Sequence, residues 1–357
     1  MRKYLKFTLL FFIAVFILWF FGRNLDWEQV GRSLKEAKAV YVTLAVIGIS
    51  LGYFLRAVRW KVLLAPITET SLKELFATTT VGFTAVFFVG RMGEIVRPMW
   101  LPMRDKRVRP SAALVTLGVE RIFDLAALVC FFSINLLWLE APAGRENDFE
   151  NVKFVGIMML AGIVLGFGCL IFYSKFSAPI IKWLEARSDR FYLSGKIKRI
   201  VISLFKHLAT SLKILHDWRE ILSVSFWTFT LWLAIALPTY FVLEAFDLPL
   251  DFSHSLFIMG FAAVSSVIPT PGGAAGAFHA ATAGGLLFLL GDQNGMLERV
   301  AAVSIVMHLV YFAPAVFFGL YYFIHGDISI DRIKNLLTAD LADEVPDLES
   351  DAENSPA

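Results

Sequence analysis

Apolar residues in this chain come in long runs, not in strict alternation or in a narrow amphipathic stripe. They fill residues 7–22, 39–64, 74–98, 111–139, 153–173, 219–246, 253–290 and 297–324. Runs of this length read as helices able to cross about 30 Å of hydrocarbon. The pattern predicts an all-α polytopic membrane protein. Composition agrees: 57% of the residues are hydrophobic, 34 are Phe, and the mean hydropathy is +0.65. An ordinary soluble domain is roughly 45–50% apolar, and a soluble globule of this make-up lacks the polar surface to cover itself.

Charge then orients the runs, because Lys and Arg collect in cytoplasmic loops. Residues 97–109 hold five basic residues and one acid, and 174–220 hold ten basic residues and four acids. Both belong inside. Residues 140–152 hold four acids and one base, and 247–298 hold no Lys or Arg, so both belong outside. The basic start of "MRKYLKFTLLFFIAVFILWFFG" places a retained first helix with its N-terminus in the cytoplasm, since no small-residue cleavage site follows it. The expected location is the inner or plasma membrane, multi-pass, with both termini cytoplasmic.

Two runs do not fit a simple crossing. "RAVRWK" (Arg56, Arg59, Lys61) ends the second run on the cytoplasmic side, and 74–98 leads straight into the cytoplasmic loop 97–109. A segment that starts and ends on one side dips in and returns. The same argument makes 253–290 a hairpin entering from the opposite face. The expectation is about six spanning helices plus two re-entrant helical hairpins. Residues 1–336 form the membrane domain, with a cytoplasmic amphipathic linker at 174–218. The tail 337–357 is expected to be disordered, with seven acids and no base from Asp340 onward. Trp27, Val30, Gly31 and Leu34 form a helical stripe in 23–38, which predicts an interfacial helix.

The two halves echo each other. "GFTAV" at 82–86 returns as "GFAAV" at 260–264, and Glu120-Arg121 returns as Glu298-Arg299, both at an offset of 178. The repeats run about 39–139 and 219–324, and the charge pattern turns one upside down. Inverted repeats with broken helices are a common transporter architecture, with the site near the midplane. The second hairpin carries "VIPTPGGAAGAFHA". Helix-breaking residues at membrane depth are tolerated where they line a cavity. Pro269, Pro271, Gly272 and Gly273 are therefore expected at a hairpin tip that offers backbone N–H groups to an anion.

The candidate chemistry is charge inside hydrocarbon. "GRMGEIVRP" supplies Arg91, Glu94 and Arg97 at i,i+3 spacing, on one face if helical; "ERIFD" supplies Glu120, Arg121 and Asp124. Each unpaired charge at mid-bilayer costs at least about 2.5–3.5 kcal/mol, so the six residues must face inward. One reading is a salt-bridge network that only fixes the hairpin. The other is a set of guanidiniums that grip a phosphate or carboxylate head group. Glu94, Glu120, Asp124, His279 and His308 are candidate proton relays, and the histidines are equally readable as helix–helix hydrogen bonders. Trp60 and Trp100 read as interfacial anchors. Cys130 and Cys169 suggest neither a metal site nor a disulfide. The sequence contains no Walker A, HExxH or CxxC pattern. No enzyme activity, cofactor, metal or nucleic-acid partner is expected.

The stretches "FLRAVRWKVLL", "VGRMGEIVRP", "SAALVTLGVERIFDL" and "PTPGGAAGAFHA" together resemble the flippase-like membrane region of the lysylphosphatidylglycerol synthetase family, over most of Tyr41 to Tyr322. The resemblance implies movement of a lipid head group or lipid-linked precursor between leaflets, a phospholipid or a polyprenyl-phosphate lipid. The soluble aminoacyl-transfer domain of full-length synthetases has no counterpart here, so aminoacylation is not implied. Two other readings stay open: an ion-coupled small-anion transporter, and a non-transporting subunit of a lipid-modifying or glycosyl-transferring enzyme.

Overall fold

The computed structural model describes residues 25–65, 67–187, 218–265, 274–291 and 295–326, without the side chains of Arg91, Met92 and Ser111. The first expected helix (7–22), the acidic tail, and Pro269, Pro271, Gly272 and Gly273 lie outside the described residues. All ten long elements are helices: α1 (Trp27–Glu36), α2 (Ala39–Leu64), α3 (Leu72–Val89), α4 (Val96–Arg104), α5 (Pro110–Asn135), α6 (Glu146–Arg187), α7 (Trp218–Ala245), α8 (Phe252–Ser265), α9 (Ala275–Leu290) and α10 (Met296–Ile324). A 3₁₀ segment, Gly90–Ile95, joins α3 to α4. The protein is an all-α polytopic membrane protein. Among the described residues, five helices are long and apolar enough to cross a bilayer: α2, α3, α6, α7 and α10. α5 has the length but carries Glu120, Arg121 and Asp124.

Helix boundaries follow from the sequence. Asp26 caps α1, accepting from the backbone N–H groups of Glu28 (2.9 Å) and Gln29 (3.2 Å); these bonds, the Gln29 one foremost, hold its carboxyl below the usual range. The expected stripe helix in 23–38 is thus present, with Val30 buried but Trp27 exposed. Pro110 opens α5, where its missing N–H costs nothing. α6 runs on to Arg187, with a kink at Phe176. The first part of the expected linker is therefore a continuation of that helix, and 188–217 lie outside the described residues. Phe154, Val164, Leu165 and Phe172 on α6 are exposed, the surface of a helix made for lipid.

The first hairpin is visible in its packing. Gly90 adopts φ +71°, ψ −157°, a glycine conformation that ends α3 and turns the chain. The return arm then lies antiparallel on α3. Gly93 sits against the backbone of Ala85 and Val86, the stem of Arg97 crosses Gly82, and Arg104 pairs with Glu74 near the start of α3. The chain thus leaves at the end where it entered, although α3 alone is long enough to span.

The second hairpin is α8 against α9, with Phe257 on Phe288 and Gly285 against Ile258 and Phe261. α8 is described as far as Ser265, and α9 begins at Ala275, after Ala274 at φ +61°. The Pro-Gly stretch between them lies outside the described residues.

The two halves pair like with like. α2 packs on α7, the first helix of each half, and the two are antiparallel: Gly48 meets Pro238, Gly52 meets Ile235, and Arg59 bonds Thr228. α3 packs on α10 as α8 packs on α5, α4 on α5 as α9 on α10, and α2 on α3 as α7 on α8. These contacts join helices of the two sequence halves in corresponding order. The Glu-Arg match is not part of it. Glu120 lies ten residues inside α5, counted from Pro110, whereas Glu298 sits in the first turn of α10. The constant offset aligned two dipeptides at different depths.

An added Cβ at Gly93 overlaps the backbone of α3, while at Gly118 it meets nothing within 4 Å. Gly93→Ala should therefore cost about 1–3 kcal/mol, and Gly118→Ala should not. Thermal unfolding of the purified protein in detergent checks the pair, with the melting temperature expected to fall only for the first.

Candidate functional site

The intramembrane charges form two layers. The inner layer is Arg59, Arg97 and Glu120, all buried. Glu120 lies about 15 Å along α5 from Pro110 and its side chain is 0% exposed. Arg97 grips it with two bonds, Nη1 to Oε1 at 2.7 Å and Nη2 to Oε2 at 3.2 Å. Arg59 Nη2 stands 3.4 Å from Oε1, and Arg121 Nη2 donates to Oε1 at 3.0 Å. The Arg97 guanidinium also lies 4.5 Å above the Trp60 ring, and the Trp60 indole donates to Thr116 Oγ1 at 3.0 Å. A carboxylate with no water is tolerable only with partners of this number and quality.

The outer layer is Arg56, Glu94, Arg121 and Asp124, and all four line a cavity of about 320 Å³. Asp124 Oδ1 accepts from Arg59 Nη1 (2.6 Å) and from the indole of Trp232 (3.0 Å). Arg121 reaches Asp124 Oδ2 at 3.7 Å and Glu94 at 4.0 Å. Arg56 lies 4.9 Å above the Phe83 ring. Together the two layers carry four guanidiniums and three carboxylates among the described side chains, a surplus of one positive charge.

Both halves build the cavity. Its walls are apolar, with Phe83, Leu128, Ile235, Met259, Phe278 and Phe312 among them. Gly90 of the first hairpin and Ser265 and Ala274 of the second line it as well. Leu125 lines it too and stays 56% exposed in the middle of α5. Its side chain therefore belongs both to the cavity lining and to the outer surface of α5.

The family profile described as "Lysylphosphatidylglycerol synthase TM region" matches residues 7–319. The chain belongs to that family. Its relatives include a UPF0104 membrane protein of Pyrococcus horikoshii, 22% identical over 291 residues, covering 76% of this chain and 83% of that protein. A second is a UPF0104 membrane protein of Methanocaldococcus jannaschii, 25% identical over 246 residues, covering 67% and 92%.

In this member of the lysylphosphatidylglycerol synthase membrane-region family, the geometry brings together Glu94, Arg97, Glu120, Arg121 and Asp124. Glu94 and Arg97 do not share a face, because the 3₁₀ segment ends between them. Arg97 turns into the inner layer and Glu94 to the cavity. The side chain of Arg91 is outside the described residues. Glu298 and Arg299 lie away from the cluster; Arg299 donates to the carbonyl of Phe246 in the loop before α8. His279 and His308 face each other, with ring centroids 5.1 Å apart, behind Phe278 and next to Phe312. They adjoin the cavity wall without lining it.

Several participants carry no site reading in the sequence. Arg56 and Arg59 serve there only as markers of a cytoplasmic end, yet both are inside the cluster and Lys61 alone of that group is exposed. Trp60 and Trp100 are buried rather than interfacial: one supports Arg97, the other stacks on Phe323. Thr228 and Trp232 come from the second half. The available signal was the i,i+3 pair Arg56/Arg59 lying inside an apolar run.

Removing Glu120 leaves three guanidiniums facing an empty position. Glu120→Ala should cost about 3–5 kcal/mol and lower the yield of folded protein. Size-exclusion profiles and thermal unfolding of the variant beside Gly118→Ala measure the loss.

Proposed function

We propose that this protein moves a lipid with a phosphate-bearing, anionic head group between the leaflets of the membrane. The observation that carries the reading is the cavity itself. It is a greasy chamber between two oppositely oriented halves, with a surplus guanidinium charge on one wall and Leu125 shared between its lining and the outer surface of α5. The walls accept the upper part of the acyl chains, and the outer charge layer accepts the head group. An apolar lining that continues to the outer surface of α5 favours a lipid over a soluble anion, which needs a route from water.

In this reading the layers divide the work. Arg59, Arg97 and Glu120 hold the first hairpin against α2 and α5. Arg121, cavity-facing and 36% exposed, contacts the phosphate. Glu94 is the candidate proton carrier, since its single described ion pair is a long one at 4.0 Å, whereas Glu120 is committed to three guanidiniums. The charged layer lies nearer the cytoplasmic face.

Leaflet exchange of a fluorescent phospholipid in proteoliposomes tests the proposal. Arg121→Gln should slow exchange roughly tenfold or more, the loss of one charge-assisted hydrogen bond, while the protein stays folded and Gly118→Ala exchanges normally. Equal rates for Arg121→Gln and the unmodified protein would refute the assignment.

A further inference from the structure

We infer that the acidic stretch 340–357 docks on a basic face of the same chain, built by the loop before α3 and the loop between α4 and α5. The contact goes beyond the proposed translocation and does not depend on it.

The face is positive for two reasons. Residues 61–74 and 104–109 carry six cations and three anions. Arg104 and Glu74 cancel each other, and buried Asp105 accepts from Arg107 twice, from Nε at 2.9 Å and from Nη2 at 2.7 Å. Lys61, Lys73, Lys106 and Arg109 are exposed and have no ion pair among the described residues; Glu69 is the exposed acid set against them. In addition, α3 and α5 both begin here, at Leu72 and Pro110, and a helix N-terminus carries roughly half a positive charge. The face is also concave. Lys61, Thr68, Ser71 and Arg107 stand around a hollow of about 390 Å³. A polypeptide can place a side chain in such a hollow, whereas a planar leaflet meets only its rim.

The chain delivers the acidic stretch to this place. α10 ends with Phe323 stacked on Trp100, ring centroids 5.7 Å apart, and Gly326 lies against Trp100 and Arg104. Lys106 and Arg107 follow Arg104 by two and three residues, at most about 11 Å along the backbone. Asp340 comes fourteen residues after Gly326, a length whose coil dimension is about 20 Å. Seven acids and no base then follow up to residue 357. The tendency of Lys and Arg to collect in cytoplasmic loops accounts for the cations; it gives no reason for seven acids within their reach. A tether of this length holds the stretch at a local concentration on the order of millimolar, so individually weak surface pairs act together. Seated there, the stretch ties the end of α10 to both ends of the first hairpin, the element that brings Arg97 to Glu120.

Zero-length carbodiimide coupling of the purified full-length protein, read by mass spectrometry, tests the contact, because it joins carboxylates only to lysines they touch. The protein is placed in nanodiscs of phosphatidylcholine or of phosphatidylglycerol at physiological ionic strength. In both, Asp343, Glu344, Asp347 or Glu349 should couple to Lys61 or Lys106 within one chain. No such link, links confined to Lys196, Lys198 or Lys206, or links only between isotopically distinct copies would each overturn the docking. Loss of the links in phosphatidylglycerol alone would give the face to the leaflet and overturn it too. Amine acetylation supplies a second readout. With the seven acids of 340–357 neutralised (Asp→Asn, Glu→Gln), Lys61 and Lys106 should acetylate about threefold faster than in the unmodified protein, with Lys35 on α1 unchanged. Equal rates would overturn the docking whatever the coupling shows. Neither readout involves leaflet exchange, so failure here leaves the proposed function standing, and failure of exchange leaves the contact standing.

Discussion

A single buried carboxylate sets the terms for this fold. Glu120 has no contact with solvent and sits midway along a largely apolar helix. An isolated charge there is prohibitive, so cations must come to it. Arg59 arrives on α2, Arg121 is its own neighbour on α5, and Arg97 arrives on the return arm of the first hairpin. The hairpin is therefore a requirement of electrostatics as much as of packing. Arg97 reaches Glu120 because the chain turns back at Gly90, and its stem passes because Gly82 carries no side chain. Trp60 then closes over the guanidinium from the other side.

That requirement also explains the difference between the layers. The inner one is tightly bonded: Arg97 and Arg121 hold Glu120 at 2.7 and 3.0 Å, and Arg59 bonds Asp124 at 2.6 Å. The outer layer is looser. Its separations of 3.7, 3.8 and 4.0 Å leave Arg56, Arg121, Glu94 and Asp124 attached to one another yet able to accept something between them. A rigid base and a yielding surface are what a site needs if it is to bind, release and keep its shape. The second half of the chain adds little charge. It supplies Thr228 and Trp232 to hold the cluster, and apolar walls to the chamber.

Much of this was legible in the sequence, for identifiable reasons. Helix content and membrane class followed from run length alone. The hairpins followed from a charge conflict, although one premise was faulty: Arg56 and Arg59 count as loop charges in a positive-inside tally, whereas both pair with Asp124 inside the cluster, Arg59 fully buried and Arg56 nearly so. The conclusion survives because Lys61 and the 97–109 loop point the same way. Charged residues deep in apolar runs marked Glu120, Arg121 and Asp124 correctly as a cluster. The sequence could not assign Trp60 and Trp100, since a tryptophan beside an arginine is equally an anchor or a stacking platform until tertiary packing decides. Nor could it separate Glu94 from Arg97, because a 3₁₀ segment at a helix junction changes which way neighbouring residues point. The Glu298-Arg299 match shows the limit of matching by offset: two residues are identical, yet a helix that starts later carries them at a different depth.

The grouping of α2, the first hairpin and α5 around Glu120 also bears on biogenesis. Three ionised residues make α5 a poor candidate for entering the bilayer alone, at about 2.5–3.5 kcal/mol each. During synthesis, however, α2 and the returning arm precede it and already carry Arg56, Arg59 and Arg97. α5 can then leave the translocation machinery against a waiting set of countercharges rather than into bare lipid. The order of segments along the polypeptide is thus the order in which neutralisation becomes available, and a circularly permuted chain that delivered α5 first would have no partner for it.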